Sequence, residues 1–98
     1  MQPIIAIAIE PSTDLQREQV HEMVTAHAEL WWHGLQDLWL VGGGTPSEWR
    51  DRLGPIFPTT DAGMVMAFKV QRGGGWAYRA GFPESTSSWL KTNLASEN

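Results

Sequence analysis

There is no cysteine anywhere in this chain of 98 residues. That excludes disulfides, thiolate catalysis and cysteine-ligated zinc. Positive charge is also scarce: seven Lys and Arg stand against eleven Asp and Glu, a formal net charge of −4. The basic residues are scattered from Arg17 to Lys91, whereas a general phosphate-binding surface needs them clustered. Long apolar runs are missing too. Ile4 to Ile9 has no basic flank and is too short for a signal peptide or a membrane span. The expectation is a cytoplasmic protein with no membrane partner. No internal repeat, low-complexity stretch or linker divides the chain, so residues 1–98 read as one domain. A chain of this size buries roughly 60–65% of its unfolded surface, which makes for a thin core.

Tryptophan is abundant by contrast. There are six, and four of them fall between Trp31 and Leu53, in WWHGLQDLWLVGGGTPSEWRDRL. Each such ring buries on the order of 150–250 Å², which offsets the small size. The pattern of this stretch predicts a strand over Trp31–Leu35, a turn at Gln36-Asp37 and an antiparallel return over Leu38–Val41. Periodicity alone does not exclude the alternative of one long strand with a bulge near Gly34. Gly42-Gly43-Gly44 then lets the backbone leave the sheet. Thr45-Pro46-Ser47-Glu48 supplies an N-cap hydroxyl, a proline at the first helical position and a glutamate at the third. Trp49, Leu53 and Ile56 fall on the buried side of the short helix that follows, and Gly54-Pro55 stops it.

Ahead of this stretch, Pro3 to Glu10 alternates Ile5, Ile7 and Ile9 against Ile4, Ala6 and Ala8. Both faces are apolar, so the strand should be central and covered twice. Thr13 and Gln16 have capping-box form, with Asp14 suited to the helix dipole. The helix they open should run to about Glu29, burying Leu15, Val20, Met23, Val24 and His27. Beyond the second helix, Phe57 to Gly63 reads as a loop. Met64 to Gln71 alternates as a strand, with Met64, Met66, Phe68 and Val70 as its inward face. Gly73-Gly74-Gly75 leads into a further strand, Trp76–Phe82, which Pro83 ends. Ser85 or Thr86 can cap a last helix carrying Trp89, Leu90 and Leu94.

The order β-α-β-β-α-β is that of an α+β, ferredoxin-like split βαβ sandwich, extended by a C-terminal strand and a short helix. Two helices would cover one face of the sheet. The other face, with Ala6, Ala8 and Ala67 or their opposites, is too apolar for water, and a second copy of the chain is the simplest cover.

Few residues suggest chemistry. His27 on the apolar stripe reads as a core histidine rather than a ligand. His21-Glu22 starts like a zincin motif but meets Thr25 where the second histidine belongs. The glycine run before Thr45 lacks the Gly-Lys-Ser/Thr of a phosphate loop, and Pro46 removes one helix N–H. Trp31-Trp32 with His33 could stack bases on a sheet surface, as single-strand binders do, with at most one of the two tryptophans on that surface. Trp32, His33 and Trp39 are the candidate binding residues, and packing is the competing reading. Ser85, Ser87 and Ser88 read as caps and surface.

In that order, WWHGLQDLWLV, TPSEWRDRL and the C-terminal SSWLKTNL resemble small bacterial and phage proteins labelled SinR-like. Those are similar to the dimeric CRISPR-associated protein of spacer acquisition (Cas-two). The resemblance covers most of the chain and implies a ferredoxin-like homodimer. In that family an aspartate at the end of the first strand of each subunit can hold a divalent metal for phosphodiester cleavage. The matching position is Glu10, which makes it the candidate catalytic and metal-binding residue, with Mg²⁺ or Mn²⁺ as its ion. The family's aromatic before the carboxylate is Ile9 here, and glutamate is one methylene longer than aspartate. Otherwise Glu10 is a solvated strand end beside Pro11. No other cofactor is implied.

Three functions follow from these residues. The favoured one is a non-catalytic dimeric interaction module, acting through protein contacts or, less favoured by the net charge, nucleic-acid contacts, and linked to mobile elements or defence. The second is a metal-dependent nuclease using Glu10, against which the negative net charge weighs. The third is a small-molecule-binding domain using the aromatic sheet face.

Overall fold

The computed structural model describes residues 2–72 and 84–94. Strand β1 (Ile4–Pro11) leads through α1 (Asp14–His27) to a hairpin of β2 (Leu30–Leu35) and β3 (Leu38–Gly42). Helix α2 (Pro46–Leu53), two short 3-10 turns (Gly54–Ile56 and Thr60–Ala62), β4 (Gly63–Val70) and α3 (Glu84–Leu94) complete the described chain. The four strands form one sheet in the order β2-β3-β1-β4. Every neighbouring pair is antiparallel. The chain is therefore an α+β fold in which β1 is central, as its two apolar faces require. It follows that β1 and β2 run parallel with β3 between them, and β3 and β4 run parallel with β1 between them. Each of α1 and α2 makes the connection across such a gap.

The two faces of the sheet hold separate cores. Ile5, Ile7 and Ile9 of β1 pack with Trp39 and Val41 of β3, Val20 and Val24 of α1, and Trp49 and Leu53 of α2. Ile4 and Ala6 pack on the other side with Trp32, Leu40, Leu90 and Leu94. Burying each of these isoleucines contributes about 1.5–3 kcal/mol. The expected cover of the second face by another copy of the chain is corrected here in part. Helix α3 lies over Ile4, Ala6, Trp32 and Leu40, so the chain itself covers the β2-β3-β1 portion. Arg72 Nε donates to the Asn93 carbonyl oxygen at 2.9 Å, tying the exit of β4 to the end of α3.

Strand β4 reverses its expected orientation. Its register sets Met64 opposite Glu10, Met66 opposite Ala8, Phe68 opposite Ala6 and Val70 opposite Ile4, so these residues share the α3 face. Val65 and Ala67 instead pack into the α1/α2 core. Trp49 and Leu53 of α2 already fill that layer with bulk, leaving room only for the smaller row of β4 side chains. Alternation gave a strand but could not choose between two apolar faces.

Helix α1 carries a similar correction. Its buried row is Gln16, Val20 and Val24, with Met23 half-buried. Leu15 and His27 are exposed, so His27 is not a core histidine, and the helix ends at His27 rather than Glu29. The buried row is offset from the stripe that the apolar residues mark, because Gln16, a polar residue, occupies a buried slot. The Thr13 cap forms as expected: its Oγ1 accepts from the Gln16 N–H at 3.3 Å, and Gln16 Oε1 accepts from the Thr13 N–H at 3.1 Å.

The glycine run turns the chain as its composition requires. Gly43 and Gly44 both adopt positive φ, 96° and 81°, a region open mainly to glycine. The Trp49 indole N–H then donates to the Gly43 carbonyl oxygen at 3.0 Å, locking the turn onto α2. Thr45 caps α2 through a 3.1 Å bond accepted from the Glu48 N–H. Thr45→Ala is expected to lower the unfolding free energy by about 0.5–2 kcal/mol, read as a lower urea midpoint with unchanged association. The stop at Gly54-Pro55 takes the form of a 3-10 turn that prolongs the helix. Helix α3 is already helical at Glu84, so Ser85 and Thr86 lie within it rather than capping it. The expected strand Trp76–Phe82, with its Gly73-Gly74-Gly75 lead and Pro83, lies outside the described residues.

Candidate functional site

The turn between β2 and β3 is fastened to the rest of the fold at two points. The Asp37 carbonyl oxygen accepts from the Ile9 N–H at 3.0 Å. The Asp37 carboxylate accepts from Arg17 Nε at 2.6 Å, and Arg17 also pairs with Asp14 within α1. The hydrogen bond to Asp37 is the main reason the Arg17 guanidinium is held above its ordinary pKa, helped by the charges of Asp37 and Asp14 and opposed by partial burial. Arg17 is thus committed to two carboxylates and locks α1 against the hairpin.

This lock lines up a group of rings. Trp39 is fully buried, and its indole N–H donates to His21 Nδ1 at 3.2 Å. The His33 ring stacks on Trp39 with centroids 4.0 Å apart and planes 12° apart. His21 lies 5.4 Å from His33, and meets Trp31 edge-on at 5.1 Å. His33 Nε2 sits 2.9 Å from the Gln36 carbonyl oxygen, back across the hairpin turn. Arg17, Glu18, His21, Glu22, His33 and Gln36 line an open groove of about 480 Å³ along this edge.

Of the candidate binding residues, the fold brings His33 and Trp39 together and separates Trp32 from them. Trp32 is buried in the α3-side core with Leu40 and Leu90. Adjacent strand residues face opposite ways, so Trp31, not Trp32, shares the side of His33 and Trp39. His21 carries no metal motif in the sequence, yet it is the residue that joins α1 to this group. A signal existed: His21 follows Val20 and precedes Val24 on the helix, one step from the buried row. Pairing that edge with a particular strand required the three-dimensional fold.

The arrangement disfavours His21 as a metal ligand. A ligating histidine normally donates its second nitrogen to a carbonyl or carboxylate, whereas His21 Nδ1 accepts a proton donor. Among the described residues no three His, Asp or Glu side chains gather as a metal cluster. Glu10 is exposed at the end of β1, directly opposite Met64. With Pro11, Ser12, Asp61, Gly63 and Met64 it lines a shallow hollow of about 310 Å³. No helix among the described residues is long and apolar enough to cross a membrane. Comparison with protein-family models, with curated proteins and with solved structures finds no match.

Proposed function

We propose that the chain is a non-catalytic dimeric interaction module of ferredoxin-like architecture. Read from its other edge, the sheet order is β4-β1-β3-β2, with both crossing helices against one face. Two interleaved split βαβ units would produce this arrangement, which supports the architectural reading. The observation that carries the dimer is the outer row of β4. Met64 is 58% exposed, Met66 60% and Phe68 44%, on the face where Ala8 is only half-buried. Among the described residues, helix α3 packs over the neighbouring strands and does not cover this row. A flat, unbranched row of this kind suits a self-complementary contact about a two-fold axis, and methionine adapts readily to a facing surface. The link to mobile elements or defence rests on the resemblance alone.

The test is mass in solution with placed charges. The wild type should scatter light as twice 10.9 kDa at micromolar concentration. Ala8→Asp and Met66→Glu should each give a folded monomer, because a charge facing its own copy is both desolvated and repelled. A wild-type mass of 10.9 kDa under those conditions would sink the proposal.

One observation favours a second reading. Glu10 shares the face and the end of this apolar row, so a dimer formed there could bring two Glu10 carboxylates close. Two such groups can hold a hard cation. Cleavage of single-stranded RNA or duplex DNA with Mg²⁺ or Mn²⁺, abolished by Glu10→Ala, would restore the nuclease reading. The favoured reading expects no such cleavage.

A further inference from the structure

The groove beside His21 and His33 carries information in its proton positions. Trp39 is fully buried and its N–H can only donate, so His21 Nδ1 must hold a lone pair. In the uncharged ring the proton is then on Nε2. The Gln36 carbonyl oxygen can only accept, so His33 Nε2 carries a proton, and in the uncharged ring Nδ1 is left bare. Two imidazoles 5.4 Å apart therefore offer one donor and one acceptor on the ring edges away from their partners. Trp31, 38% exposed and touching His21, adds an aromatic surface beside them.

Charge narrows the choice of ligand. Among the described residues Arg17 is the only Lys or Arg lining the groove, and Asp37 and Asp14 already pair with it. Glu18 and Glu22, one helical turn apart on the rim, take part in no ion pair among the described residues. An anionic group would meet their field unopposed. A neutral or cationic group rich in N–H would not. The volume, about 480 Å³, lies in the usual range for a small-ligand site.

We propose that this groove binds a small planar nitrogen heterocycle with an amino group beside a ring nitrogen, as in adenine, and without a phosphate. The ring nitrogen accepts from His21 Nε2–H. The exocyclic amine donates to His33 Nδ1, the ring lies between the two imidazoles, and Glu18 and Glu22 receive the remaining N–H or hydroxyl donors. This site is on the α1 side of the sheet, opposite the row proposed as the dimer face. Either proposal can therefore fail without the other.

Calorimetric titration of the full chain at pH 7.5 provides the test, with adenosine, N6,N6-dimethyladenosine and ATP as probes. Adenosine should bind saturably. N6,N6-dimethyladenosine, which lacks the donor, and ATP, which brings negative charge to Glu18 and Glu22, should each bind about tenfold or more weakly. His33→Phe keeps a ring on Trp39 but removes the acceptor, and should weaken adenosine by a similar factor with an unchanged circular dichroism spectrum. Should that variant not fold, Glu18→Gln with Glu22→Gln serves instead and should narrow the gap between ATP and adenosine. No saturable adenosine binding up to millimolar concentration overturns the proposal. So does equal binding of the dimethyl analogue, tighter binding of ATP, unchanged affinity in folded His33→Phe, or an unchanged gap in the double variant.

Discussion

Gln16→Ala should destabilise the chain by about 2–4 kcal/mol, well beyond the loss of a helix cap. The Gln16 side chain is buried and makes four hydrogen bonds. Its Oε1 accepts from the N–H groups of Ser12 and Thr13 at 2.6 and 3.1 Å. Its Nε2 donates to the Ile56 carbonyl oxygen at 3.1 Å and to that of Ala62. One amide thus closes the start of α1 and pins both 3-10 turns between α2 and β4. Alanine leaves those backbone groups to find water in a partly buried place, at a cost for each. Gln16→Glu separates the two halves of the role. It keeps the accepting oxygens but aims carboxylate charge at two carbonyl oxygens, so it should be at least as damaging at pH 7. Its carboxyl would then titrate higher in the folded chain than in the unfolded one. The deficit should accordingly shrink as pH falls through the carboxyl range, when the protonated acid regains a donor. Urea unfolding at pH 7 and pH 4, against wild type at each pH, reads both effects. A Gln16→Ala loss no larger than that of Thr13→Ala would show that the long-range bonds contribute nothing.

How legible the fold was depends on whether local chemistry or tertiary choice decided each element. The β2–β3 hairpin, the Thr13 and Thr45 caps, and the centrality of β1 are local matters. Turn residues, capping hydroxyls and a doubly apolar strand specify them within a few residues. The face of β4 was not local. Met64, Met66 and Phe68 outrank Val65 and Ala67 in apolar size, yet the bulk of Trp49 and Leu53 on α2 decides which row fits underneath. The burial of Gln16 is not local either: it depends on carbonyl groups forty and forty-six positions later in the chain. Gly63, at φ 105° beside the Glu10 carbonyl oxygen, is another residue whose role appears only once β1 and β4 are paired.

The candidate site was half legible. His33 beside Trp39 does not follow from the turn alone: Leu35 pairs with Leu38 across it, but the register shifts between Trp32 and Leu35, so that Trp32 pairs with Leu40 and His33 stacks on Trp39. The same shift leaves Trp32 opposite Leu40 and in the other core, away from His33 and Trp39. His21 entered only through α1. Its partner is a tryptophan eighteen residues away, and no spacing rule links a helix nitrogen to a strand indole.

That partnership yields the other large effect. Trp39→Ala should cost about 3–5 kcal/mol, a large share of the stability of so small a domain. The ring is fully buried in the α1/α2 core, supports His33 by stacking and spends its only donor on His21. Part of this cost can be isolated by variants of His21. His21→Ala leaves the indole N–H with no acceptor in a buried place, at about 1–3 kcal/mol. His21→Asn places an amide oxygen near the former Nδ1 and should recover part of that loss. Trp39→Phe keeps most of the volume and removes the donor, so it should cost less in the His21→Ala background than in wild type. The difference is the coupling energy of a double-mutant cycle, measured by urea unfolding of the four proteins. A coupling near zero would show that the Trp39–His21 bond contributes nothing to stability and that His21 is held by packing against Trp31 and His33. A coupling of about 1 kcal/mol or more would show that the buried indole fixes the proton on the far side of the His21 ring, where the groove presents it.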